Sequence, residues 1–425
     1  VSPSSPSSAG APGLRARVAI AAGRTVGGAS KILRLGSGSV IGGRASLFVH
    51  PELLRDLTRS RDVVIVSATN GKTTTTRLIA AAIAGVRPVV SNSLGANMAA
   101  GIVAALSRAD AGATAVLEVD ERWVPGVLRS TSADTVVLLN LSRDQLDRSQ
   151  EVRRLAETWR RCLSDTPPRT VIANADDPLV AWAAQVAPSV IWVATGQNWH
   201  ADAAGCPECA GRISFNAETW RCTDCDLRRP DAVVSVDDTT ITIGEDRRPV
   251  AMGLPGHVNR VNAAFALAAA ESLGVSGTIA IAGIESVTEV AGRYRTASLG
   301  GRKVRLLLAK NPAGWHEALE LIAAPPAPVI VAINARIADG HDPSWIWDVE
   351  FERLGNRFVV ATGERRHDLA VRLRYADVEH VVADTIDEAI RVAAGRQDHH
   401  SGDTIDIAAN YTAFQEYYER IGGWS

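Results

Sequence analysis

From Asp62 onward, short runs of strongly apolar residues alternate with longer Ala-rich stretches. Runs rich in Val, Ile and Leu fall at 63–66, 115–117, 136–139, 171–173 and 190–193. Each is short for a helix and carries the β-branched side chains that suit a pleated surface. The stretches between them, 77–84 for example, have helical composition. Continuous apolar strands alternating with helices imply a largely parallel, doubly wound sheet. The rhythm breaks after Ala194 for an insertion at about 197–230, then resumes with a hairpin-like stretch at 232–243 and a helix at 259–273. A second series begins near Arg302, with strands predicted at 304–308, 329–333, 358–361, 381–382 and 404–407. The expected class is α/β, with a central domain over 51–296 that holds the insertion and a C-terminal Rossmann-like domain over 297–425. No internal repeat of solenoid length is visible.

Residues 1–12 are rich in Ser and Pro, and 1–50 contain Arg15, Arg17, Arg24, Lys31, Arg34 and Arg44 without one Asp or Glu. That block reads as a flexible, basic lead-in, solvated and partly helical. The sharper alternative is an approach surface for an anionic lipid headgroup or a pyrophosphate. The whole chain is not basic: 45 Lys and Arg face 47 Asp and Glu, a formal charge of −2, so no global field recruits nucleic acid. Its 425 residues, 46% hydrophobic and 22% charged, suit two or three domains with proper cores. No apolar stretch reaches the ~18–20 residues of a membrane span. The run 18–22 is too short for an export signal and is soon interrupted by Arg24. A cytoplasmic location is expected, at most at the inner face of the plasma membrane.

Candidate chemistry starts at Val63-Val-Ile-Val-Ser-Ala68-Thr69-Asn70-Gly71-Lys72-Thr73-Thr74, a strand, a tight loop and a helix start. Phosphate is held by backbone N–H groups at a helix N-terminus, where the dipole favours negative charge. Gly71 lets the backbone close on the anion, Lys72 can reach the β- and γ-phosphates, and the Thr73 hydroxyl can ligate Mg²⁺. Val66 stands where the usual first glycine of such loops would be, so Gly-Lys-Thr alone also fits an ordinary strand–helix turn.

The insertion carries Cys206-Pro-Glu-Cys209 and, twelve residues on, Cys222-Thr-Asp-Cys225. Two such knuckles let four thiolates surround one tetrahedral Zn²⁺. Arg212 and Arg221 face Glu208, Glu218 and Asp224 there, a balance that opposes a nucleic-acid surface and favours a structural staple. Cys162, in Trp-Arg-Arg-Cys-Leu, reads as a buried helix residue.

The segment 69–74, T-N-G-K-T-T, resembles the loop of the Mur ligase and folylpolyglutamate synthase superfamily, with Ala68 replacing a leading glycine. Further matches follow in family order. Glu118 resembles the Mg²⁺-binding glutamate, and 140–147 resembles N-[IL]-x-x-D-H-x-D with Gln145 in place of a metal-holding histidine. Asn174-Ala-Asp-Asp177 is similar to an element near the adenine, Asn259 and Asn262 to a G-x-x-N-x-x-N-A helix start, and Gly292-Arg293 to a phosphate contact. Taken singly, each of these reads as a cap or a turn. The resemblance implies ATP held by Thr69, Asn70, Gly71, Lys72, Thr73, Thr74, Asn174, Asn259, Asn262 and Arg293, with Mg²⁺ on Thr73 and Glu118. Lys72 and Glu118 would then serve catalysis directly.

The cysteine ribbon and the C-terminal stretches 310–314, 339–348 and 410–412 narrow the resemblance to the MurT family, from about Gly42 onward. Ala335-Arg336 departs from it, where Asp-Asn is more usual. Members of that family are synthetase subunits of lipid II isoglutaminyl synthase. The resemblance implies ATP-dependent amidation of the D-glutamate α-carboxylate in lipid II through an acyl phosphate. It also implies a class I glutaminase partner, GatD, which supplies Cys and His to a triad that Asp342 completes. Residue logic alone makes Asp342 an N-cap followed by proline at the first helical position. Two alternatives stand beside this: an amino-acid-adding Mur or folylpolyglutamate-type ligase, and a zinc-ribbon NTPase that binds nucleic acid.

Overall fold

A computed structural model of the chain describes residues 13–32, 39–92, 96–143, 152–196, 199–216, 219–290, 294–299, 302–322, 327–355, 357–395 and 404–421. Taken over those residues, one compact unit comprises 1–141, 153–253 and 259–287, and a second comprises 142–152, 254–258 and 288–425.

The first unit contains β1 (Val63–Ser67), β2 (Val89–Ser91), β3 (Thr114–Glu118), β4 (Thr135–Leu138), β5 (Thr170–Asn174) and β6 (Val190–Val193). The ribbon strands β7 (Ile213–Phe215) and β8 (Trp220–Cys222) follow, then β9 (Val234–Val236), β10 (Thr240–Ile243) and β11 (Asp246–Pro249). Among the described residues one sheet runs β11-β10-β9-β6-β5-β4-β1-β3-β2. Strands β1 to β6 and β9 are parallel, while β10 and β11 add an antiparallel edge. Every residue of β1, β3 and β4 is buried, as their unbroken apolar text requires. Two strands had no apolar run to announce them. Asp246-Arg-Arg-Pro249 is polar, pairs through its backbone with β10 and is fastened by the Arg248–Glu271 ion pair, and β2 is a three-residue edge.

Five helices precede and enclose the first strands: α1 (Leu14–Ile32), α2 (Ser39–Val49), α3 (Leu53–Thr58), α4 (Lys72–Ala84) and α5 (Ala99–Leu106). The lead-in is thus helical from Leu14, with α1 against α2 and α2 against α5. The first contact needs glycine: a Cβ on Gly23 would lie 2.7 Å from the Gly42 carbonyl oxygen.

The second unit contains β12 (Tyr294–Leu299), β13 (Arg302–Leu308), β14 (Val329–Ala332), β15 (Val359–Thr362), β16 (His380–Val382) and β17 (Thr404–Ala409). Their order is β12-β13-β17-β14-β15-β16, with all pairs parallel except β12–β13. Trp315, Trp345 and Phe351 anchor one apolar cluster, and Phe414 and Tyr417 anchor another. Burial of such rings contributes roughly 1.5–3 kcal/mol each. In both units the loops that matter leave the carboxyl ends of parallel strands, where open α/β sheets bind their ligands.

Candidate functional site

The end of β1 is built around one glycine. Gly71 sits at φ 86° as the N-cap of α4, and a Cβ there would meet Asn262 Oδ1 at 2.9 Å. The cradle therefore accepts only glycine without strain. Asn140, just past β4, braces the loop: its carbonyl oxygen accepts from Thr69 N at 3.0 Å and its Oδ1 from Asn70 N at 2.9 Å. Its amide donates back to the Asn70 carbonyl at 3.0 Å. Thr75 Oγ1 donates to Asn262 Oδ1 at 3.0 Å, and Asn262 reaches Asn259 at 3.4 Å, which ties the start of α4 to the helix His257–Ser272.

Lys72 is 9% exposed and folds back on its own loop. Its Nζ donates to the Ala68 carbonyl and, at 3.2 Å, to the Thr69 carbonyl, and it pairs with Glu121 Oε2 at 3.2 Å. Glu121 is itself buried and held through its carbonyl, which accepts from Trp159 Nε1 at 2.9 Å. Glu118, at the end of β3, is 2% exposed. Asn92 brackets its backbone, accepting from Glu118 N at 2.8 Å and donating to the Glu118 carbonyl at 2.7 Å. Lys72 and Glu121 thus pair beside the loop in a low-dielectric setting, where charges act strongly, and Glu118 is buried at the end of the neighbouring strand. The family resemblance pointed to Glu118 but not to Glu121 or Asn92. Their signal was present: a second acid three residues past a buried strand supplies the counter-ion that a buried lysine requires.

Asn174, at the end of β5, is 2% exposed and works inside the scaffold. It donates to the Leu139 carbonyl at 2.8 Å and accepts from Asp176 N at 2.7 Å. The neighbouring Asp177 caps the helix Pro178–Ala184 by accepting from Leu179 N and Val180 N, and also accepts from Leu141 N at 2.8 Å. Burial raises its carboxyl to about 6, against the pull of those three N–H groups. Arg293 and Gln145 lie outside the described residues.

The four ribbon cysteines form one cluster, with all ligand atoms within 4.8 Å of one another. Cys206 and Cys225 sulfurs are 3.7 Å apart and those of Cys209 and Cys222 3.5 Å. A tetrahedral ion with Zn–S near ~2.3 Å needs sulfur–sulfur edges of about 3.8 Å, so the set fits zinc. Knuckle N–H groups already point at the sulfurs, Gly211 N to Cys209 and Asp224 N to Cys222, both at 3.4 Å. The Asp224 N–H and the adjacent thiols hold Cys222 down at about 7. The ribbon is clamped to the end of β5: Trp220 Nε1 donates to the Ala175 carbonyl at 2.9 Å and Arg229 pairs with Asp176 at 2.5 Å. Cys162 stands apart and buried, its thiol pushed up to about 12 by desolvation.

In the second unit Asp342 lies exposed on the loop that leaves β14. Its Oδ1 accepts from Ser344 N at 2.8 Å, which draws the carboxyl below its usual range. The expected cap has shifted by one residue. Pro343 occupies the N-cap position of a 3₁₀ turn, Ser344–Asp348, and Asp342 closes the turn ahead of it. A buried polar cage holds the root of this loop. Asp339 Oδ1 accepts from Thr412 N at 2.8 Å, its Oδ2 accepts from the Thr412 hydroxyl, and Asn334 and Asn410 exchange bonds at 3.0 and 2.7 Å. Arg336, at the departure from the family pattern, pairs with Glu364 at 2.8 Å and Glu416 at 2.6 Å.

Known proteins share the fold. The Mur ligase middle domain matches residues 66–270, and the MurT ligase C-terminal domain matches 308–414. The pseudomurein peptide ligase type C of Methanothermus fervidus superposes with a TM-score of 0.67 at 19% identity, over 87% of this chain and 81% of its own. The chain is an ATP-dependent ligase of the Mur type, a class that implies ATP and Mg²⁺. Two curated relatives narrow the class, both described as lipid II isoglutaminyl synthase (glutamine-hydrolyzing) subunit MurT. The Streptococcus pneumoniae protein is 29% identical over 91% of this chain and 93% of its own. The Staphylococcus aureus protein is 28% identical over 90% and 93%. Within the Mur ligases this chain belongs to the MurT family.

Proposed function

We propose that this chain is the synthetase subunit of a glutamine-dependent amidotransferase of peptidoglycan synthesis, converting the D-glutamate α-carboxylate of lipid II to D-isoglutamine. The observation that carries this reading is the likeness to MurT proteins over about nine-tenths of both chains, across both units. In this reading Thr69 to Thr74 receive the ATP phosphates, with Asn174, Asn259, Asn262 and Arg293 completing the nucleotide site. Thr73 and Glu118 would hold Mg²⁺, which would supply charge neutralisation to the transferring phosphoryl group. Lys72 exchanges Glu121 for phosphate oxygens, so the ion pair keeps the buried ammonium satisfied until substrate arrives. The substrate carboxylate attacks the terminal phosphorus and ADP leaves. Ammonia then attacks the acyl carbon, and inorganic phosphate departs as the amide forms.

Ammonia must come from elsewhere. Glutamine hydrolysis needs an activated cysteine with a histidine. Cys162 is buried with its thiol at about 12, and the other four cysteines sit in the ribbon cluster. A GatD-like class I glutaminase fits this gap, supplying Cys and His, with Asp342 as the orienting acid. Near Asp342 in sequence, Ile337 and Trp347 are 70% and 52% exposed, and Trp347 carries Tyr375 edge-on at 5.5 Å. Exposed aromatics of that kind suit the core of an interface. The four ribbon cysteines would hold Zn²⁺, which would act as a staple securing the end of β5.

The test is Asp342→Asn in the reconstituted complex. Glutamine-driven amidation should fall on the order of 1,000-fold or more, as when the acid of a triad is neutralised. Ammonium-driven amidation should stay within two-fold or so of wild type, because that step bypasses glutamine hydrolysis and its triad. Equal loss of both activities, or loss of neither, would remove Asp342 from the triad. Stimulation of ATP hydrolysis by free amino acids in place of ammonia would favour an amino-acid-adding ligase.

A further inference from the structure

Helix α1 is apolar on two opposite faces, and among the described residues only one of them is packed. Ala16, Ala19, Gly23, Gly27 and Ser30 are buried, and the helix packs on α2. At 3.6 residues per turn, Leu14, Val18, Ala21, Thr25 and Ile32 fall on the side directly away from that stripe. Leu14, Val18 and Ile32 are 78%, 53% and 83% exposed. The usual arrangement is inverted, with small residues inside and the largest apolar side chains in solvent. Along one flank of the outer stripe Arg17, Arg24 and Lys31 recur every seven residues, all exposed. Arg24 also donates to the Ser107 carbonyl at 2.8 Å, which steadies it and leaves its charge intact. Among the described residues none of the three forms an ion pair, and no Asp or Glu occurs before Glu52.

An apolar stripe edged by cations matches a surface that is apolar at depth and anionic at its rim. A bilayer rich in anionic phospholipid has that profile, whereas a protein partner would need an acidic border of matching length. No helix among the described residues is long and apolar enough to cross a membrane, so the fit is to a helix lying in the interface.

We propose that α1 is a peripheral membrane-binding helix that seats Leu14, Val18 and Ile32 among lipid headgroups while Arg17, Arg24 and Lys31 meet lipid phosphates. This inference does not depend on the substrate assigned above, since its readout is binding and not turnover.

The full chain should float with phosphatidylcholine vesicles that contain phosphatidylglycerol and stay behind with phosphatidylcholine alone. The double variant Val18→Glu, Ile32→Glu should lose vesicle binding at least about ten-fold. The charge variant Arg17→Gln, Lys31→Gln should lose about five-fold per cation removed, and added salt should reproduce that loss. Both variants should melt with wild type, because every altered side chain faces outward. Failure of wild type to float, equal flotation with neutral vesicles, or variants that bind as wild type would each overturn the proposal. So would a wild-type oligomer that Val18→Glu, Ile32→Glu dissolves without any vesicle binding, which would make the face a protein interface. A lowered melting temperature in the glutamate variant would show that the stripe packs inside.

Discussion

Two strand-end sites in this chain solve opposite problems. After β1 and β3, Lys72, Glu121 and Glu118 are each at most 9% exposed, and the charges are kept by pairing within a loop that Asn140 braces. After β14, Asp342 is exposed, and what is buried is the cage of Asp339, Asn334, Asn410 and Thr412 beneath it. The first site hides its chemistry so that low dielectric strengthens it. The second buries only the supports and leaves the Asp342 carboxylate exposed. A site that acts on a small anion benefits from enclosure, whereas a residue meant for another chain has to protrude from a rigid base.

If that contrast is right, truncation should hurt most in the enclosed site. Lys72→Ala should lower single-turnover phosphoryl transfer by about 100- to 1,000-fold. It should also cost about 3–5 kcal/mol in urea unfolding, because Glu121 is left buried without its partner. Substantial recovery of stability in Lys72→Ala, Glu121→Gln would confirm the source of that cost. Activity without Lys72 at more than a tenth of wild type would break the comparison.

The next largest effect concerns pH. Asp177 has its carboxyl raised to about 6, so the folded state holds a proton that the unfolded chain has already released. Stability therefore falls as pH rises from about 4 to about 6, by up to about 3 kcal/mol relative to Asp177→Asn. Urea titrations of both proteins across that range measure it, and parallel curves would show that the three N–H bonds win over burial.

In the second unit, Asp339→Ala should cost about 2 kcal/mol, since the Thr412 and Arg336 N–H groups lose their acceptor. Glutamine-driven turnover should drop several-fold with little change in the ammonium-driven rate. The smallest effect belongs to Asp342 itself: Asp342→Asn should leave the melting temperature unchanged within error despite its effect on turnover. A clear fall there would mean that the Ser344 N–H bond holds the loop, and that the exposed acid is structural after all.

Much of the scaffold was legible because unbroken apolar runs admit few other folds. The core of the parallel sheet, the glycine at the start of α4 and the paired cysteine knuckles are all local patterns with local causes. The edge strands β2 and β11 were not legible, because one is only three residues long and the other is polar, and both are placed by pairing with a neighbouring strand and by contacts distant in sequence. Asn174 reads as a nucleotide contact, and in the fold its side chain also bonds the Leu139 carbonyl and Asp176 N, while the neighbouring Asp177 caps a helix. Nothing in a short motif distinguishes a bond to ligand from a bond to a neighbouring strand.

By itself the sequence determined the class of fold, the glycine-lysine loop after the first strand and the set of four thiols, since each rests on residue type and near spacing. Only tertiary structure decided which acid neutralises Lys72, how Asp342 is raised on its cage, and which face of α1 is left uncovered. Those depend on groups far apart in the chain brought within a few ångströms, and on which of two apolar faces finds a partner.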